Sequence, residues 1–281
     1  MSWDTEIDEL KRRIELAHQM GGPEKIKRQH DAGRLTIRER IDAILDTDSF
    51  HEIGAISGKS QYSRDGKLQS FRPSNCIFGR GKIDDRNVVL VGDDFTVRGG
   101  AADASIHEKQ IAAEQMAYEL QLPVIRLVEW TGGGGSVKSL ESDGYTYVPG
   151  NPGWDWVVAN MGQVPVVSLA LGPVAGLGAA RVATSHYALM VKGQSQMFVA
   201  GPPVVARIGE NVTKEELGGS KIHTRNGAVD DEVESEAEAF ARTKLFLSYL
   251  PSSVHDVPPR TTPTDPKDRR EEWLINAVPK D

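Results

Sequence analysis

One cysteine, Cys76, stands in 281 residues. A disulfide framework and a four-cysteine zinc site are both excluded, and a reducing compartment is the natural home. Long apolar runs are also missing. No stretch approaches the roughly 20 residues that a membrane-spanning helix needs, and no secretory hydrophobic segment opens the chain, so the expectation is a soluble, cytoplasmic protein with no membrane contact. Positive charge is not in excess: 33 Lys and Arg face 40 Asp and Glu, and the formal charge of −7 argues against a general affinity for nucleic acid. The seven histidines are scattered without metal-ligand spacing. His107, His186 and His223 therefore read as surface or structural residues, and no metal is expected. Disorder is not indicated either, because 39% of the residues are hydrophobic and 26% charged. The length suffices for one large α/β domain or two small ones.

Glycine is what the chain has in a telling place. In EWTGGGGSVKS, residues 129–139, four glycines follow the apolar run LPVIRLV directly. A nucleotide-phosphate loop of the Walker type would place glycine immediately before the lysine, but Val137 precedes Lys138. Ser136 lacks the Gly-x-Ser-x-Gly setting of a nucleophile elbow, and no Ser, His and Asp set is visible, which disfavours a serine hydrolase. The device recurs some forty residues on, as VPVVSLALGPVAGLGAA. Each copy has a proline, a β-branched apolar run, a glycine-rich turn and a predicted helix. Runs apolar on both faces predict buried strands of a parallel sheet with helical crossovers.

The surrounding pattern is mixed α/β. An amphipathic helix is predicted over Thr5 to Met20, ending at Gly21-Gly22-Pro23, and a second from about Thr36, whose spacing to Glu39 matches a capping box. NCIFGRGKIDDRNVVLVGDDF reads as two strands about a turn at Asp84 to Asn87, followed by a helix from Ala104 to Leu120. Short strands are predicted at His186 to Val191 and Met197 to Ala200, a short helix at Pro202 to Ile208, a capped turn in TKEELGG and a long helix over DDEVESEAEAFARTKLFLSYL. Residues 251–281 are rich in proline and charge and read as an extended linker leading to something absent from this chain.

A strand ending in a glycine turn exposes backbone N–H groups that no side chain shields, which suits an anion. Two such turns on neighbouring strands can aim their N–H groups at one oxygen, the geometry that stabilises an enolate or a tetrahedral oxyanion. Glycine after a buried strand also serves turn geometry alone. Glu129 and Asp143 are a conceivable carboxylate pair, although Glu129 is better explained as fixing the turn by accepting backbone hydrogen bonds.

GRLTIRERIDAILDTDSFHEI, GRGKIDDRNVVLVGDDFTVRGG, the two glycine segments, MFVAGPPVVARIGENVTKEELGG and HTRNGAVDDE follow one another in an order that resembles the amino-terminal half of biotin-dependent acyl-CoA carboxylase carboxyltransferase β subunits. That group includes the propionyl-CoA, acetyl-CoA and methylcrotonyl-CoA enzymes and a glutaconyl-CoA decarboxylase subunit. The resemblance runs from about Gly33 to Leu250. It implies an α/β fold of the crotonase (ClpP/crotonase) type, a spiral of ββα units, with an amino-terminal carboxyltransferase domain at 1–250 and the linker at 251–281. It also implies a site where acyl-CoA, as substrate, meets carboxybiotin, with backbone amides holding the thioester oxygen as its enolate forms. By that likeness Gly133 or Gly134 is one donor and Gly176 or Leu177 the other, while Gly132, Gly135, Ala175 and Gly178 complete the acyl-CoA site.

The match has departures. Gly135 and Ser136 stand where the family carries an arginine, Glu129 and Trp130-Thr131 replace its aspartate and serine with one residue inserted, and Leu177 replaces a glycine. The family's subunits are also considerably longer, so the second oxyanion pocket falls outside this chain. Lys192 lies in LMVKGQ, not in a Met-Lys-Met biotinylation site, so biotin must arrive on another protein. The implied partners are a biotin carboxyl carrier protein, a biotin carboxylase, a C-terminal carboxyltransferase half and further copies of this chain. Tyr145, Tyr147, Trp154 and Trp156 either anchor such an interface or pack under the first turn. The competing readings are a biotin-independent crotonase-family hydratase, isomerase or decarboxylase, which would need a carboxylate base close to the two turns, and a non-catalytic CoA-binding assembly module.

Overall fold

The computed structural model describes residues 2–133, 140, 141, 144 and 153–278. Its first two helices, α1 (Asp4–His18) and α2 (Pro23–Asp31), are separated by Gly22 at φ +89°. Pro23 opens α2, where its missing N–H costs nothing. The sequence does not signal α2, because PEKIKRQHD carries a single large apolar side chain, Ile26. Helix α3 (Ile37–Ile44) begins as its capping box requires: Thr36 Oγ1 accepts from Glu39 N, and Glu39 Oε2 accepts from Thr36 N at 2.7 Å. Ile37, Ile41 and Ile44 then enter the core.

Strand β1 (His51–Ile53) is followed by β2 (Gly58–Tyr62) and β3 (Leu68–Pro73), which form a separate two-stranded sheet. The expected hairpin is β4 (Cys76–Ile83) and β5 (Arg86–Asp93). Both residues of its tight turn, Asp84 and Asp85, have positive φ, and the Asp46 carboxylate accepts from their two N–H groups at 3.0 and 2.8 Å. The next helix, α4 (His107–Leu120), starts later than Ala104 because residues 102–104 make a 3-10 turn.

The two proline-led apolar runs form β6 (Val124–Trp130) and β7 (Val166–Ala175), with α5 (Trp154–Asn160) between them and α6 (Leu177–Ala183) after the second. Then come β8 (Tyr187–Val191), β9 (Gln196–Phe198), the short helices α7 (Pro202–Val205), α8 (Lys214–Gly218) and α9 (Ser220–Arg225), strand β10 (Asp231–Val233) and helix α10 (Glu236–Ser248). The single long helix expected over DDEVESEAEAFARTKLFLSYL is corrected here. Asp231–Val233 pair in parallel with Leu189–Val191, and Ser235 caps the helix that follows by accepting from Glu238 N. Long-range pairing outweighs local helix propensity at that point. Among residues 251–278 the one regular element is a 3-10 turn at Glu272–Asn276.

The main sheet runs β1-β4-β5-β6-β7-β8-β10, with β9 pairing the far end of β7. Its hairpin side is antiparallel and everything from β5 onward is parallel. All of β6, and all of β7 except Pro173, is buried, as strands covered on both faces must be. One face packs Ile125, Leu127, Leu169 and Leu171 against Ile37 and Ile41 of α3 and Phe240 and Leu247 of α10. The other face sets Val128, Trp130 and Val174 against Val182 of α6, and Val124 and Val166 against Ala113 and Ala117 of α4.

Candidate functional site

Strands β6 and β7 are parallel neighbours, so their carboxyl ends reach the same edge of the sheet and their glycine turns meet. Trp130 pairs with Val174, and a Cβ built on Gly132 would lie 3.6 Å from that of Ala175. Gly132 sits at φ +97° and Gly176 at φ 60°, ψ −125°, conformations that residues with side chains rarely adopt.

A third turn joins them. Arg98, Gly99 and Gly100 all have positive φ (56°, 64° and 68°) in the loop that follows β5. Gly100 lies so close to β6 that a Cβ there would be 2.4 Å from the Glu129 carbonyl. Thr131 N donates to Gly99 O at 3.2 Å. Sequence reasoning assigned this loop no role, although the Gly-Gly pair in FTVRGG was the available signal.

The N–H groups sort themselves by geometry. Gly176 N donates to Phe198 O at 3.0 Å, so it is already committed. Leu177 is the first residue of α6, where no carbonyl lies a helical turn behind it, and none of the hydrogen bonds among the described residues uses its N–H. The same holds for the N–H of Gly133. Of the other predicted site residues, Ala175 ends β7, Gly178 follows Leu177 in α6, and Gly134 and Gly135 lie outside the described residues, as do Ser136, Asp143, Tyr145 and Tyr147.

Glu129 departs from expectation. Among the described residues its carboxylate accepts no backbone N–H of the turn. It points to the opposite face of the sheet, fully buried, where it meets Arg40 Nη1 at 2.6 Å, Arg34 Nη1 at 3.0 Å and Gln29 Nε2 at 2.7 Å. Alternation along the strand explains this: Trp130 faces α6, so Glu129 must face away. The backbone N–H of Glu129 donates instead to Asp93 Oδ2 at 3.3 Å. Burial pushes the Asp93 carboxyl up to about 6, against the pull of Arg181, whose Nη1 stands 3.7 Å from Oδ1.

The other strand charge is also enclosed. Arg126, without solvent exposure, binds Glu114 through two contacts of 2.7 and 2.8 Å and donates to the carbonyls of Arg181 and Thr184. Burial alone would raise the Glu114 carboxyl, and the adjacent guanidinium more than reverses this. The imidazoles serve the backbone: His186 bridges Val166 N and Met161 O, and His223 meets Met197 O. Trp156 packs at 5.4 Å on Tyr118 of α4. Among the described residues no group of three or more His, Cys, Asp or Glu is placed to hold a metal ion, and no helix is long and apolar enough to cross a membrane.

The chain is similar in sequence and fold to known proteins. Residues 28–281 match the carboxyl transferase domain family. The chain is 33% identical to the propionyl-CoA carboxylase carboxyltransferase subunit of Haloferax mediterranei over 283 residues, covering 99% of this chain and 54% of that protein. Identity to the mitochondrial propionyl-CoA carboxylase beta chain of Homo sapiens is 34% over 279 residues, covering 96% and 50%. Among solved structures, the hexameric transcarboxylase 12S with methylmalonyl-coenzyme A and methylmalonic acid bound superposes with a TM-score of 0.79 at 26% identity, over 100% of this chain and 54% of that one. The beta subunit of P. aeruginosa geranyl-CoA carboxylase shares the fold, with a TM-score of 0.67 at 24% identity over 87% of this chain and 44% of that one. The chain thus spans about half the length of the curated relatives it matches. The fold is the mixed α/β, crotonase-like architecture of carboxyltransferase domains, and the chain belongs to the carboxyl transferase domain family.

Proposed function

We propose that this chain is the acyl-CoA half of a biotin-dependent carboxyltransferase, and that it stabilises the enolate of an acyl-CoA thioester. The observation that carries this is the pair of adjoining glycine turns, with Leu177 offering an N–H that no carbonyl among the described residues takes. The thioester oxygen would sit between the Leu177 N–H and that of Gly133 or Gly134, flanked by Gly132, Gly135, Ala175 and Gly178. As the α-proton leaves, negative charge builds on that oxygen, and fixed amide dipoles answer it without reorganising.

Carboxybiotin, brought on a separate carrier protein, would supply the carboxyl group and the proton acceptor, which leaves this chain's own amides to hold the thioester oxygen and its developing charge. The described residues fit that division of labour. Among the described residues Glu129 and Asp93 abut the turns; both are buried and engaged by arginines, so neither is free to act as the base that a biotin-independent hydratase or isomerase needs.

The same reading assigns residues 1–250 to the amino-terminal carboxyltransferase domain and 251–281 to a linker toward a C-terminal half. That half, a biotin carboxyl carrier protein with its biotin carboxylase, and further copies of this chain are the partners, in the cytoplasm. The hexameric assembly of transcarboxylase 12S supports an oligomer.

The test combines the full chain with a C-terminal carboxyltransferase half and carboxylated biotin carrier, and follows label into acetyl-, propionyl- and longer acyl-CoAs. Transfer that requires all components is expected. Turnover of an enoyl-CoA series by the chain without biotin would overturn the reading, as would calorimetry showing no acyl-CoA binding together with no transfer in the complete mixture.

A further inference from the structure

An irregularity in the sheet lies just ahead of the two turns. Strands β6 and β7 pair in step from Val124 with Val166 to Val128 with Ala170, and then the register shifts so that Trp130 faces Val174. The extra residues lie on β7, between Ala170 and Val174, just ahead of the second turn. A bulge of this kind takes backbone groups out of the ladder, and they must be satisfied in some other way.

At Leu171 the replacement partners are side chains. Its carbonyl accepts from Arg40 Nη2 at 2.9 Å and from Gln194 Nε2 at 3.0 Å. Three further bonds from Arg40 go to Glu129 Oε2 at 2.6 Å and to both oxygens of Glu236, at 2.8 and 2.9 Å. Gly172 makes the arrangement possible, because a Cβ there would lie 2.4 Å from Glu129 Oε1. One guanidinium, with no solvent exposure, therefore holds β6 through the Glu129 carboxylate, β7 through the Leu171 carbonyl and α10 through Glu236.

Stability alone does not call for such an arrangement. Buried ion clusters commonly do no better than apolar side chains of the same volume, and their best-attested use is to fix register. Directional contacts to two strands at the bulge serve that use, since apolar packing would tolerate a slip.

We propose that Arg40 is a positioning residue for the two amide donors: it locks the β6/β7 register shift that aims the first glycine turn and the Leu177 N–H at a common oxygen. The inference rests on the enolate-stabilising role given to the turns above. It concerns a group that touches no substrate, acting through Glu129 and Leu171.

The experiment measures the infrared stretch of an acyl-CoA with a carbon-13 thioester carbonyl, bound to the full chain as wild type, Arg40→Lys and Gln194→Met, with dissociation constants from calorimetry. Lysine keeps the charge but cannot make the three-way fork. Gln194→Met leaves the Arg40 ion pairs in place and removes the second donor to Leu171 together with the bond from Gln194 Nε2 to Glu236 Oε1 at 2.7 Å. In the wild type the bound carbonyl band is expected to move to lower frequency, as two N–H donors polarise it. In Arg40→Lys the shift should shrink and the band broaden while affinity changes little, and in the reconstituted enzyme kcat should fall on the order of 10- to 100-fold, the scale of an ångström-sized misplacement. Gln194→Met should show a smaller change of the same sign, and it decides the matter if Arg40→Lys does not fold. A wild-type shift retained in full by both variants, or by Gln194→Met where Arg40→Lys does not fold, overturns the positioning role and leaves the proposed function standing. No shift in the wild type itself overturns the enolate reading and this inference with it.

Discussion

Gly178 rests directly on Trp130: a Cβ built on the glycine would lie 2.9 Å from that of the tryptophan and 3.0 Å from Val174 Cγ1. The helix that begins the second turn is thereby seated on the last residue of the strand that leads into the first. Neither Trp130 Cβ nor Val174 Cγ1 is the free end of a flexible chain, so Gly178→Ala should overpack this seam and cost about 1–3 kcal/mol. Urea denaturation checks this, and a variant as stable as the wild type would show that α6 is not clamped there.

The position of Leu177 makes a backbone test unusually clean. As the first residue of α6 it tolerates proline, which removes the N–H without breaking an intrahelical bond. Leu177→Pro should leave the thermal midpoint nearly unchanged and lower carboxyl transfer in the complete assembly by roughly 100- to 1000-fold, the cost of one oxyanion donor. Leu177→Ala retains the amide and should be mild. Equal losses from the two substitutions would point to the exposed leucine side chain instead.

Asp93 should show in the pH dependence of stability. Its folded value of about 6 lies above its ordinary 3.8, because burial opposes the charged form. The folded state therefore holds the proton more tightly than the unfolded chain. Stability is lost as pH rises from about 4 to about 6, and the full cost remains above that. A shift of this size corresponds to about 3 kcal/mol. Relative to the wild type, Asp93→Asn should become more stable by up to that amount between pH 4 and pH 8, measured by denaturation at each pH. A difference constant across the range would mean that Asp93 is not shifted upward.

Arg126 and Glu114 form an enclosed pair whose members are not separately dispensable. Arg126→Met should cost about 3–5 kcal/mol, because it strands the Glu114 carboxylate in the interior. Adding Glu114→Leu should recover most of the loss. If the double variant is as unstable as the single one, the energy lies in the bonds from Arg126 to the carbonyls of Arg181 and Thr184.

Much of this architecture is written locally. The capping boxes at Thr36 with Glu39 and at Thr213 with Glu216 form as their spacing demands. The tight turn at Asp84 and Asp85 and the buried strands before each glycine turn likewise follow from residues only a few positions apart. Such signals reach no farther than a turn of helix or a pair of strand neighbours, which is why they can be read without a structure.

What the sequence determined by itself is therefore the two strand-and-glycine devices and the family to which they belong. What only the tertiary structure decided is how distant residues complete them. It set Arg98 to Gly100 beside the first turn, bonded the Gly176 N–H to Phe198 so that, among the described residues, the Leu177 N–H alone of that pair has no acceptor, and turned Glu129 toward Arg34 and Arg40. The helix α2, the β2/β3 sheet and strand β10 belong to the same class, since their own residues carry weak periodicity. Each of these outcomes is a pairing between segments far apart in the chain, and only folding brings the partners close enough for one hydrogen bond or ion pair to choose between them.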